Sequence, residues 1–304
     1  MNEEKPVLVV AVGGNALLQR GELMSYENQK KNIDITARSL AELNKSWKVV
    51  IVHGNGPQVG LLALQGLSYR DVPPYPMDVL GAETQGMIGY MLAQSLHQYI
   101  PEMTVSTLLT QVIVDRNDAA FKDANKFIGP VYSEQIAKER AQEFGWQIKP
   151  DGEYWRRVVP SPAPQYIVEI DSIHALLAAG HMVICCGGGG CPTVAQAQGL
   201  EGIEAVIDKD LSAATLAKQL NASHLLILTD GDNVCVNWGK RDEKPLHDIS
   251  VEQIEKYEFA AGSMGPKVTA CCDFARQTSG IGHIGSLHKA ALIMAGKSGT
   301  HIHL

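Results

Sequence analysis

Val7-Leu8-Val9-Val10-Ala11-Val12-Gly13-Gly14-Asn15-Ala16 sets an apolar run of six residues directly against a glycine turn. A short run of this composition reads as a buried strand, and a glycine turn behind it lets the backbone approach a ligand or enter a helix. The pattern recurs along the chain. Lys48–His53 runs into Gly54-Asn55-Gly56-Pro57-Gln58, and Met182–Cys186 runs into Gly187-Gly188-Gly189-Gly190. Further strands are expected at Val105–Val114, Glu204–Asp208, Leu225–Thr229 and Ile302–Leu304. Helices are expected at Asn28–Asn44, Pro57–Leu67, Ala82–Tyr99, Ile173–Ala179, Leu211–Leu220, Val251–Tyr257 and Lys267–Gln277. Strands alternating with helices predict an α/β fold with a mostly parallel sheet covered on both faces. Its ligands would lie beyond the carboxyl ends of the strands, where the glycine turns fall. Residues 115–165 break the alternation. They are polar, contain Asp151-Gly152, a hairpin-type pair, and read as an inserted lobe or lid within a single domain of residues 1–304.

Composition narrows the function. The 304 residues carry 26 Lys+Arg against 33 Asp+Glu, a formal charge of −7, and no basic stripe, which argues against nucleic acid as a partner. No run approaches the roughly 18 apolar residues of a membrane span, so no membrane partner is expected. Met1-Asn2-Glu3-Glu4-Lys5-Pro6 has neither a basic region nor an apolar core, and a cytoplasmic protein is expected. Cys185, Cys186, Cys191, Cys235, Cys271 and Cys272 contain no Cys-x-x-Cys and read as reduced thiols.

Three lysines stand in unusual settings: Lys126 in Asn-Lys-Phe-Ile-Gly-Pro, Lys209 between Asp208 and Asp210, and Lys267 behind Gly262-Ser263-Met264-Gly265-Pro266. A cation at a helix N-terminus is unfavourable unless an anion compensates it, so Lys267 suggests a bound anion. Asp208-Lys209-Asp210 reads as a phosphate-contacting lysine oriented by Asp210, or as a solvated cluster at a helix start. Gly13-Gly14-Asn15 reads equally as a backbone anion cradle with the Asn15 amide as added donor, or as a tight turn into a helix. Gly54 and Gly56 read as amides at the positive end of a helix that Pro57 opens, or as an ordinary strand-to-helix turn with proline at its first helical position. His53 ends an apolar strand and reads as structural. Four consecutive glycines exceed what sheet packing needs and point to close approach of a ligand. Gly296-Lys297-Ser298 imitates the tail of a P-loop, but Ala291 stands where its first glycine belongs.

Taken in order, these segments resemble the carbamate kinases of the amino-acid-kinase superfamily. The likeness is carried by 13–17, 53–60, 78–82, 84–92, 126–130, 156–162, 187–190, 205–210 and Gly-Ser-Met-Gly-Pro-Lys-Val at 262–268. Ala11, where several sister kinases carry lysine, fits the carbamate kinase pattern. The resemblance implies a three-layer αβα sandwich with an open sheet and a small protruding lobe. It implies reversible phosphoryl transfer between carbamoyl phosphate and ADP, giving ATP and carbamate, with Mg2+ held mainly by the nucleotide phosphates. It implies a homodimer to which the helix at 82–99 contributes. By the same resemblance, Lys126, Lys209, Asp210 and Lys267 are the catalytic group. Gly13, Gly14, Asn15, Gly54, Asn55 and Gly56 hold the substrate and moving phosphoryl group. Gly188, Gly189, Thr229, Asp230, Val234 and Met264 lie at the nucleotide. Phe127 where proline is usual, Cys191 after the four glycines, and Glu83 at a commonly apolar position depart from the pattern.

Overall fold

The computed structural model describes residues 5–19, 21–69, 71–260 and 262–304, with the backbone alone at Asn15. Among the described residues the main sheet has eight strands. From one edge to the other these are Asp248–Ser250, Thr300–His303, Ile281–Ser286, His224–Thr229, Val7–Val12, Lys48–His53, Met182–Ile184 and Val105–Thr107. Every neighbouring pair from Ile281–Ser286 through to Val105–Thr107 is parallel, and Thr300–His303 runs antiparallel to Ile281–Ser286.

The two-residue period of the first strand explains the layers. Leu8, Val10 and Val12 join one apolar cluster, where Ile33, Ala37 and Leu40 of the helix Tyr26–Leu43 meet Ile88, Leu92 and Leu96 of the helix Met77–Tyr99. Val9 and Ala11 join the other, built with the helices Ile170–Ala178, Lys209–Gln219 and Met264–Thr278. A strand buried on both faces has no polar side, which is why it reads as an uninterrupted apolar run. No helix among the described residues is long and apolar enough to cross a membrane.

Some expected elements differ. The run Val105–Val114 divides into Val105–Thr107 of the main sheet and Gln111–Val114 of a second sheet. That sheet also contains Cys191–Gln196, Gly199–Gly202 and Pro164–Ile167. Residues 204–208 form no strand; Val206 N donates to Pro160 O at 3.0 Å, and the segment leads straight into a helix cap. Ile281–Ser286 is a main-sheet strand despite Gly282 and Gly285. A Cβ on Gly282 would lie 2.5 Å from Cys271 Cβ, and one on Gly285 would lie 2.7 Å from Ile293 Cδ1, so the packed helices require glycine there.

Residues 126–159 build a small antiparallel sheet in the order Lys126–Tyr132, Tyr154–Val159, Gln147–Asp151. The helix Glu134–Phe144 is capped by the Ser133 hydroxyl and ended by Gly145 at φ 69°. Asp151 pairs with Tyr154 across a two-residue hairpin containing Gly152 at φ 64°. The sheet rests on the helix Gly56–Gly66. There a Cβ on Gly60 would fall 2.1 Å from Gly129 Cα, so the two backbones touch without an intervening side chain.

Buried histidines give the fold an acid limit. His283 lies between His224 and His301, with ring nitrogens 2.8 Å apart on each side, and burial pushes its pKa down to about 3. Burial likewise pushes His53 down to about 4, against the opposing pull of the Gly54 carbonyl beside its ring. Both are held neutral in the fold, whereas the unfolded chain protonates them near pH 6.5. Their contribution is therefore complete above about pH 6.5 and is lost as pH falls toward 4 and then 3. Denaturant unfolding at pH 5 should show a loss of about 2 kcal/mol per histidine relative to pH 7. Equal stability at the two values would refute this. Asp208 and Asp210, whose carboxyls are held below the usual range, lose their contribution only below about pH 3.8 and leave this window clear.

Candidate active site

Three lysines converge on two aspartates at the carboxyl ends of the central strands. Asp208 is the N-cap of the helix Lys209–Gln219, its Oδ1 accepting from the Asp210 amide at 2.9 Å and the Leu211 amide at 3.4 Å. The helix thus opens on Lys209 itself, two residues earlier than expected. Lys209 Nζ donates to Asp210 Oδ1, and Lys267 Nζ donates to Asp210 Oδ2 at 2.9 Å. Lys126 Nζ donates to Asp208 Oδ2 at 2.6 Å. The helix Met264–Thr278 places Lys267 in its first turn, and Asp210 supplies the anion that the helix end denies it.

The electrostatics follow from burial opposed by pairing. Burial lowers the Lys209 pKa, and Asp210 only partly restores it. At Lys267 burial also acts downward, but Asp210 and Asp208 overcome it, and its pKa is raised. Burial acts to raise Asp210, but Lys209 and Lys267 hold its carboxyl below the usual range. The Asp210 side chain is 3 % exposed, so both lysines share a largely desolvated anion.

A cavity of about 520 Å³ opens against Lys209 and Lys267, lined also by Gly13, Gly14, Thr229 and Asp230; Lys126, Gly54, Asn55 and Gly56 do not line it. The glycine turns are tied to one another: Gly54 N donates to Val12 O at 2.9 Å, and a Cβ on Gly54 would lie 3.2 Å from Gly14 N and 3.5 Å from Lys209 Cδ. Packing within the protein does not demand glycine at 13, 14 or 56. A Cβ at Gly13 or Gly14 meets only ordinary contacts, one at Gly56 meets nothing within 4 Å, and none of the three has positive φ. At Gly13 and Gly14 that space opens into the cavity shared with Lys209 and Lys267, as an anion cradle requires. The side chain of Asn15, expected as an added donor, lies outside the described residues.

The four-glycine turn has a different cause from the one expected. A Cβ on Gly187 would lie 2.4 Å from His53 Nε2, one on Gly188 2.1 Å from Asn55 Nδ2, one on Gly189 2.4 Å from Ile207 O, and one on Gly190 2.3 Å from Val112 Cγ2. The last three also have positive φ. Internal packing therefore accounts for all four glycines, and Gly188 and Gly189 are buried beneath Asn55 and Ile207. Asn55 is held from the other side, its Nδ2 donating to Thr84 Oγ1 at 2.8 Å. Val234 is buried, its amide donating to Thr300 Oγ1 at 2.9 Å, and Met264 is partly buried against the core.

Sequence reasoning read Asp208 only as part of a charge cluster and did not see that it holds Lys126, 82 positions away in the chain. Of the departures from the family pattern, Cys191 is buried, its sulfur accepting from Gln85 Nε2 at 3.2 Å, and burial pushes the thiol up to about 12. Phe127 is partly buried in the small sheet opposite Val158, and Glu83 is exposed on the outer side of its helix.

A buried, lysine-rich floor beneath a glycine cradle defines a phosphotransferase site. The model of the amino acid kinase family matches residues 6–286. A carbamate kinase of Haemophilus influenzae is 52% identical over 297 residues, covering 97% of this chain and 96% of that protein. A carbamate kinase of Escherichia coli (strain K12) is 50% identical over 297 residues, covering 98% and 99%. Among solved structures, the carbamate kinase from Giardia lamblia bound to AMP-PNP matches with a TM-score of 0.90 at 41% identity over 98% of each chain. The chain belongs to the amino acid kinase family, and within it to the group of these carbamate kinases.

Proposed function

We propose that the chain transfers a phosphoryl group between carbamoyl phosphate and ADP, giving ATP and carbamate, with the ATP-forming direction as the working one. The observation that carries this reading is the convergence of Lys126, Lys209 and Lys267 on Asp208 and Asp210, with Lys209 and Lys267 lining one cavity with Gly13 and Gly14. The carbamate kinases to which the chain is about 50% identical supply the substrate class.

In this reading an oxygen of the ADP β-phosphate attacks phosphorus and the bond to the carbamoyl oxygen breaks, releasing carbamate. Both the attacking and leaving groups are anions, so no proton need move and no general base is assigned. The protein's task is alignment and charge neutralisation. Gly13 and Gly14 cradle the moving group, Gly54, Asn55 and Gly56 hold the carbamoyl end, and Lys209 and Lys267 neutralise phosphoryl charge with Asp210 orienting both. Lys126 faces the carbamoyl phosphate side, and the small sheet of residues 126–159, within the stretch 115–165, forms a lobe over it within one kinase domain. Thr229 and Asp230 lie toward the nucleotide, with Val234 and Met264 behind them. Mg2+ would arrive on the nucleotide phosphates and add neutralising charge. Asp208 and Asp210 are already committed to lysines, which suits a metal carried by substrate. Pairing of two copies is supported by the outer side of Met77–Tyr99, where Val79 and Tyr90 are exposed. A cytoplasmic setting suits small, highly charged substrates.

The test is ATP formation from ADP, magnesium and fresh carbamoyl phosphate, coupled to hexokinase. Rapid enzyme-dependent ATP production is expected. A folded protein that binds ADP yet forms no ATP would reject the reading.

A further inference from the structure

The root of the small sheet is fastened to the site at three points. Lys126, the first residue of its strand, is bound to Asp208 at 2.6 Å. Three residues on, Gly129 takes φ +68° and lies directly against the backbone of Gly60. Val159, the strand partner of Lys126, is followed by Pro160, whose carbonyl accepts from Val206 N at 3.0 Å. Asp208 is itself anchored, because its other oxygen caps the helix Lys209–Gln219 through the amides of Asp210 and Leu211. The carboxylate direction is therefore set by the helix start, and Lys126 comes to it. An ammonium has three donors, so pairing with Asp208 leaves two for a substrate.

We propose that Asp208 is a positioning residue: anchored at the helix start, it holds the Lys126 ammonium aimed, so that substrate meets a lysine already in place. The opposite arrangement would have Asp208 compete with substrate for Lys126. In taking carbamoyl phosphate as the substrate that Lys126 meets, the proposal rests on the reading above.

Asp208→Asn is the discriminating variant, since asparagine caps a helix as well as aspartate does but brings no charge. Its kcat/KM for carbamoyl phosphate should fall about tenfold or more, as loss of a charge-assisted hydrogen bond implies. Its KM for ADP should stay within about twofold, because ADP does not depend on Lys126. Lys126→Ala combined with Asp208→Asn should be no slower than Lys126→Ala alone, because the two act as one unit. An unchanged or improved kcat/KM for carbamoyl phosphate in Asp208→Asn, or additive losses in the double variant, would overturn the proposal.

A second readout does not depend on turnover. Modification of Lys126 by an amine-reactive reagent, followed by peptide mass spectrometry, should be several-fold faster in Asp208→Asn than in the unaltered protein. Equal rates would overturn the tether even if carbamoyl phosphate proved to be the wrong substrate. Faster labelling in a protein that forms no ATP would keep the tether and reject the substrate. If Asp208→Asn does not fold, Asp208→Ser, also a capping residue, gives the same labelling comparison.

Discussion

Lys209→Ala should lower turnover by about 10²-fold or more while leaving the fold intact. Lys209 is the first residue of its helix, its side chain 12 % exposed, and it lines the cavity beside Gly13 and Gly14. A charge held in so dry a place acts on a developing phosphoryl charge far more strongly than it would in water. A 10²-fold loss corresponds to about 2.7 kcal/mol of transition-state stabilisation, within the range of one well-aimed donor. Stability should move little. Asp210 keeps its bond to Lys267, so no buried anion is orphaned, and removing a lysine that burial already penalises costs the fold little. The check is turnover at saturating substrates alongside the melting temperature. Near-normal turnover would remove Lys209 from the mechanism, and a collapse of stability would make its role structural.

Gly60→Ala should separate the lobe from the rest of the molecule. The added Cβ would sit 2.1 Å from Gly129 Cα and 2.3 Å from Gly129 N, and both of those atoms are backbone. No rotamer can relieve that contact, so the strand Lys126–Tyr132 must shift. Overpacking of this kind costs about 1–3 kcal/mol. Displacing Lys126 by about 1 Å should lower kcat/KM for carbamoyl phosphate by about 10²-fold. ADP binding, measured by calorimetry, should be unchanged, because Thr229 ends a main-sheet strand, Asp230 follows it directly, and Lys267 lies on the helix Met264–Thr278. Normal carbamoyl phosphate kinetics in a folded Gly60→Ala protein would show that the lobe root tolerates displacement.

What could be read from the sequence was what the chain settles locally. Val7–Val12 and Lys48–His53 announce themselves because strands buried on both faces need unbroken apolar runs. Lys267 stands out because a cation at a helix start needs a reason, and Lys209 because it sits between two aspartates. What stayed hidden depends on partners distant in sequence. Ile281–Ser286 was missed because its two glycines answer to Cys271 and Ile293, not to strand propensity. Residues 204–208, with Ala205, Val206 and Ile207 at their centre, read as a strand, but no neighbour pairs with them as one. The four glycines at 187–190 signalled close approach correctly and its object wrongly, since the approaching atoms belong to His53, Asn55, Ile207 and Val112. The pairing of Lys126 with Asp208 joins two motifs that the sequence presents as independent.

The two aspartates also set how firmly the site can grip. Asp208 and Asp210 offset two of the three lysine charges, and Asp230 on the cavity wall also acts on Lys267, where the lysines alone would leave a charge of three. A bare triple cation would hold any phosphate-bearing product as tightly as the transition state, and uniform binding of that kind adds nothing to turnover. Internal counter-ions keep the lysines charged and aimed while the centre is empty, and they weaken its hold on the resting substrate and the departing product alike. The cluster is thus suited to letting go, which a reversible transfer between two phosphorylated species requires in both directions.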